Sequence, residues 1–154
     1  AGVNEIWVLD RATGETIEYQ AVSPLGMGVS LPGTLEAGPT RVRVGKVSIS
    51  IDEEATGTRL RATSPRVEVD VLAELPAGHE RLGVVVPWTN RLFQYTVKDV
   101  ARPASGTVTI DSVNHQIPAG DSWATLDHGR GRWLGKQSIS IRTLASAVAV
   151  DNGR

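Results

Sequence analysis

Cysteine is absent from the 154-residue chain. That excludes a disulfide scaffold, thiolate-bound zinc, iron–sulfur clusters and a cysteine nucleophile. Long apolar runs are lacking as well. None approaches the roughly 18 residues of a membrane-spanning helix, so no membrane span is expected. No basic-then-apolar leader opens the chain, which suits a cytoplasmic location. Neither sign of charge dominates: 16 basic and 17 acidic side chains leave a net charge of −1. A protein that grips nucleic acid through its phosphates needs a basic surface, so no nucleic-acid partner is expected. Phenylalanine occurs once and tyrosine twice, yet there are four tryptophans. No Gly-x-Ser-x-Gly elbow occurs, and Gly129-x-Gly131 lacks the strand–helix context of a phosphate cradle. His79, His115 and His128 lie in separate stretches without ligand spacing, so neither a metal nor a cofactor is expected.

What the chain has in quantity is β-branched residues. Nineteen Val, eight Ile and thirteen Thr make up a quarter of it. Such side chains suit a pleated, half-buried surface and lose freedom in a helix. The 16 Gly and eight Pro are spread as punctuation between short alternating runs. The runs fall at 5–10, 15–22, 40–44, 46–52, 58–63, 66–75, 81–86, 92–100, 107–113, 122–127 and 137–150. Arg11-Ala12-Thr13-Gly14 reads as a hairpin connection, and 23–39, with three Pro and four Gly, as the longest irregular segment. The spacing predicts one all-β domain over 1–154. We expect an antiparallel, lipocalin-like β-barrel of about eight to ten strands, with a β-sandwich as the alternative.

The stretch Ser122–Trp133, SWATLDHGRGRW, concentrates the residues able to do chemistry. Alternation places Asp127 on one face with Trp123 and Thr125, and His128 on the other with Ala124 and Leu126. With Trp123 turned inward, Asp127 stands against an apolar wall, where a carboxyl kept neutral serves as a proton donor. The competing reading is structural. Asp-x-Gly is ordinary turn chemistry, and Arg130 and Arg132 then cover the barrel mouth. Trp88, Tyr95, Trp123 and Trp133 supply wide apolar contact with a polar handle, suited equally to lining a ligand cavity and to filling a core.

Two stretches, Leu82–Asp111 and Ser122–Trp133, resemble an uncharacterised bacterial family related to the AttH and carotenoid 1,2-hydratase (hydroxyneurosporene synthase) proteins. The Pro87-Trp88 strand end, the Tyr95-Thr96-Val97-Lys98 strand and the LDHGRGRW signature carry the likeness. A looser one surrounds Leu9-Asp10. The resemblance implies a lipocalin-like barrel, present twice in one chain. It implies an apolar substrate of polyene, terpenoid or polyketide type, and hydration, isomerisation or cyclisation started by a proton. Asp127 and His128 then stand at the catalytic positions, with Trp88, Tyr95, Trp123, Arg130, Arg132 and Trp133 around the ligand. The alternative is a carrier of the same ligand without chemistry, or an interaction module. After Trp133 the chain departs from the family pattern, reading Leu134-Gly135-Lys136-Gln137 in place of Pro-Tyr and a Trp-rich strand. It opens Ala1-Gly2-Val3 without an initiator Met. On that comparison it reads as one barrel of two, whose partner is a second barrel domain or a second copy.

Overall fold

The structure is a computed structural model. It describes residues 2–33, 38–133 and 139–150, with Trp133 and 139–150 given by their backbone. The described residues form twelve strands and one short 3-10 turn at Pro24–Gly26, with no α-helix among them. Among the described residues no helix is long and apolar enough to cross a membrane.

β1 (Gly2–Leu9) and β2 (Thr16–Ser23) make a separate hairpin. Its turn forms because Asp10 gathers the chain around itself. The Asp10 carboxylate accepts from Ala12 N at 2.8 Å and from Thr13 Oγ1 at 2.9 Å, and Gly14 takes a positive φ of 75°. β3 (Val29–Ser30), β4 (Thr40–Val44), β5 (Val47–Glu54), β6 (Gly57–Thr63) and β7 (Val67–Glu74) form an antiparallel meander. β8 (Leu82–Pro87), β9 (Phe93–Ile110), β10 (Val113–Ile117), β11 (Ser122–Trp133) and β12 (Ile139–Val150) complete the sheet.

β9 is its spine. Along one side it pairs with β8 through Phe93–Lys98 and with β7 through Ala104–Ile110. Along the other it pairs with β11 through Phe93–Pro103 and with β10 through Gly106–Ile110. The run expected as two strands, 92–100 and 107–113, is therefore one bent strand. The run expected at 122–127 is longer: SWATLDHGRGRW makes no turn at Asp127, but pairs with β12 throughout and with β9 between Trp123 and Arg132.

The all-β antiparallel class is as expected, but the barrel does not close. The sheet runs β12-β11-β9-β7-β6-β5-β4-β3, and no ladder joins β12 to β3 among the described residues. Two features explain the opening. The edge at β3 is two residues long, in the Pro- and Gly-rich segment. The β1–β2 hairpin, which could have extended the ladder, instead lies over the sheet as a second layer. Ile6 and Ile17 of the hairpin pack against Val47 and Val67 beneath it. Farther along the same face, Ala124 and Leu126 of β11 meet Ile51 of β5 and Leu60 of β6, so the sheet curls into a trough.

Alternation sorts the rest. Val67 and Val71 are buried, whereas Glu68 is exposed and Asp70 half-buried on the outer face. There Asp70 accepts from Arg59 at 2.5 Å and lies 3.3 Å from Arg61, which also faces Asp52 at 3.7 Å. Arg66 ties the hairpin to the sheet, donating to Asp111 Oδ1 at 2.8 Å and to Glu15 Oε1 at 3.0 Å. The Thr13 hydroxyl holds the Asp10 carboxyl below its ordinary value of 3.8, as the Arg59 guanidinium does for Asp70 and that of Arg66 for Asp111. A carboxylate lowered by folding stabilises the protein above its ordinary value, and that contribution is lost as the pH falls through the lower folded one. We expect thermal stability to hold above pH 4 and to drop below 3.8. Arg66→Met should remove part of that acid dependence, as read by circular dichroism melts across the range.

Candidate functional site

A residue at i and another at i+3 in a regular strand point to opposite faces. Asp99 and Arg102 do not, because β9 carries a bulge between them. Ala124 of β11 faces Arg102 and Leu126 faces Asp99, so Val100 and Ala101 together oppose the single residue Thr125. Ala101 sits in the left-handed region at φ 58°. The extra residue brings both charged side chains to the concave face, where Asp99 is 4% and Arg102 2% exposed.

Arg102 is held by four acceptors. Its Nε donates to Glu74 O at 2.7 Å and Nη2 to Ala73 O at 2.5 Å, at the end of β7. Its Nη1 donates to Thr58 Oγ1 at 3.0 Å and to Asp99 Oδ2 at 3.3 Å. Thr58 in turn donates to Glu53 Oε2 at 2.9 Å. The other oxygen of Asp99 accepts from His79 Nε2 at 2.6 Å, and Arg81 Nε lies 3.8 Å from Oδ2. His79 and Arg81 stand in the connection between β7 and β8. Three elements thus break at one level: the β7–β8 connection, the β9 bulge and the matching register shift of β11.

Above this cluster opens a cleft of about 520 Å³, counting the part open to solvent. Ile51, Val97 and Leu126 supply apolar wall, and Glu53, Thr58, Arg81, Asp99, Arg102 and His128 polar surface. Its enclosed part is no larger than a few waters, so a ligand of any size would lie along the trough without being engulfed.

The signature strand contributes one face to this cleft. His128 is buried on the concave side, lines the cleft and meets Tyr95 edge-on, with ring centroids 6.3 Å apart. Arg130, on the same face, donates from Nη1 to the Gly33 carbonyl and so reaches the irregular segment across the trough. Arg132 shares that face by alternation and is exposed. The opposite face carries Asp127, which pairs with Lys98, and Trp123, which is 40% exposed. Trp123 therefore does not turn inward, and Asp127 has a cationic neighbour where an apolar wall was expected. Trp88 is exposed just beyond β8. The side chain of Trp133 lies outside the described residues. No group of three or more His, Asp or Glu side chains suited to a metal occurs among the described residues.

Asp99, Arg102, His79 and Thr58 were missed from sequence. One signal was available: Asp99 continues the face of Phe93, Tyr95 and Val97, and so sets a carboxylate in line with an apolar stripe.

Fold and cleft together define an all-β protein built on one open, curled antiparallel sheet with a charged cluster buried at its bend. The chain matches the family described as Domain of unknown function (DUF2804) over residues 1–153, and it belongs to that family. Neither a curated protein nor a solved structure matches it.

Proposed function

We propose that the chain binds a small molecule along the trough, its apolar body against Ile51, Val97 and Leu126 and a polar end toward Asp99, Arg102 and His128. The carrying observation is the buried charge at the floor of a cleft that also has an apolar wall. Apolar residues of similar volume usually stabilise a core at least as well as a buried ion pair. Arg102 has a structural task in binding the β7 carbonyls, but that task does not call for His128, Glu53 or an opening to solvent. The sequence likeness to AttH and carotenoid 1,2-hydratase proteins favours a ligand of polyene or terpenoid type.

A polyene alcohol such as retinol is a suitable probe, titrated by its own fluorescence. We expect His128→Ala to weaken binding about tenfold, the loss of one buried hydrogen-bonding group. Asp127→Asn, on the outer face, should leave affinity unchanged. Equal affinity in wild type and His128→Ala would refute the cleft as the binding site.

Acid-started hydration or isomerisation is a second reading, favoured by one observation. His128 and the carboxylate of Asp99 line the same cleft. Product formation lost in Asp99→Asn and kept in Asp127→Asn would assign the chemistry to the cleft, and the reverse pattern would assign it to Asp127. A ligand recovered unchanged would make the chain a carrier.

A further inference from the structure

We propose that the free edge of β8 is a self-association surface, on which β8 of a second copy of the chain pairs antiparallel about a two-fold axis through Val85. Among the described residues β8 pairs with β9 alone, and all six of its residues are exposed. Leu82, Val84, Val85, Val86 and Trp88 are each between 42% and 62% exposed. A strand apolar on both faces is the pattern of a sheet interior, whereas natural edges are guarded by charge. No residue from Leu82 to Trp88 carries a charge. The β10 edge shows the contrast, presenting Asn114, His115 and Gln116.

The backbone identifies which groups face outward. Trp88 N donates to Leu92 O at 2.9 Å, extending the register in which Val86 faces Gln94 and Val84 faces Thr96. In an antiparallel ladder alternate residues bond to the same neighbour. Leu82, Val84, Val86 and Trp88 therefore turn their backbone groups to β9, and Gly83, Val85 and Pro87 turn theirs to solvent. Pro87, which has no N–H to give, stands where β9 asks for none.

Centring the two-fold on Val85 uses these groups well. Val85 exchanges both backbone bonds with Val85 of the second copy. Gly83 N–H donates to the Pro87 carbonyl, and the symmetric bond repeats it. On the faces Val84 meets Val86, Leu82 meets Trp88, and the small Gly83 lies opposite Pro87. Because the segment is uncharged, self-pairing sets no like charges against each other, and a charged strand would find no counter-charge in it. An antiparallel strand pair is also isologous by construction, so it closes as a dimer.

The absence of cysteine supplies a direct test. Directly opposed residues of a hydrogen-bonded pair have Cα atoms about 5.5 Å apart, inside the disulfide range. Mild oxidation of Val85→Cys should give a covalent dimer, while Val113→Cys, 58% exposed on β10, stays monomeric under the same treatment. By analytical ultracentrifugation the wild type should dimerise with rising concentration. Val85→Lys should be monomeric, with an unchanged circular dichroism melt as proof of folding. A wild type that stays monomeric at high micromolar concentration, a dimer that survives Val85→Lys, or equal cross-linking through Val113→Cys would each overturn the proposal.

Discussion

Arg102→Leu is expected to destabilise the protein by about 3–5 kcal/mol, because it takes the nearer guanidinium from the buried Asp99 carboxylate, which keeps only His79 and the more distant Arg81 at 3.8 Å. The same substitution strips donors from Glu74 O, Ala73 O and Thr58 Oγ1, so strands β6, β7 and β9 all lose a tie. At roughly 2–4 °C per kcal/mol for a domain near this size, the melting temperature should fall by about 6–20 °C. Differential scanning calorimetry reads it directly. Asp99→Asn combined with Arg102→Leu should recover part of the loss, since the buried charge deprived of its nearer guanidinium is then gone. A fall of under about 1 kcal/mol for Arg102→Leu would mean that the bend stands without the cluster.

The second large effect is expected at Gly106, at φ 141° and directly opposite Val71 of β7. A Cβ there would run into the Asp70 carbonyl and stand 2.8 Å from Val71 Cα. Neither atom belongs to a movable side chain. Val71 is wholly buried, so the strand cannot shift outward without opening the core around Ile51 and Leu60. Gly106→Ala should therefore cost about 3 kcal/mol or more, combining backbone strain with overlap. Gly120→Ala provides the contrast: φ is also positive, at 92°, but nothing lies within 4 Å of the added carbon. It should cost less in the same chemical denaturation series.

Both variants bear on the bend of β9, and the bend is where the sequence was least readable. Pro103 and Gly106 fall in its middle, and both residues ordinarily end a strand. The structure tolerates them because the ladder on each side of β9 changes partner near this point, from β8 to β7 and from β11 to β10. At the signature the reading failed for the opposite reason. Asp127-His128-Gly129 has turn chemistry, yet Gly129 lies flat in the ladder, where a Cβ would be in ordinary contact with Thr96 and Tyr95 O at 3.7 Å. Pairing with strands on both sides overrode the local preference. Alternation was nonetheless right about its faces, separating His128 from Asp127. Which of those faces would be the inside was not legible, since Trp123 and Leu126 are both apolar.

By itself the sequence determined the all-β class, the opening hairpin with its connection at Arg11-Ala12-Thr13-Gly14, the four strands between 40 and 75 and the two-faced character of each strand. These follow from local rules: side chains alternate at a period of two, β-branched residues favour the pleat, and Asp and Gly make turns. The tertiary structure alone decided that the sheet stays open, that the hairpin lies over it as a layer, and that Asp99 and Arg102 share the concave face. A one-residue bulge reverses every facing beyond it. Its position is set by the competition of β7, β8, β10 and β11 for the two edges of β9, which no stretch of sequence read alone contains.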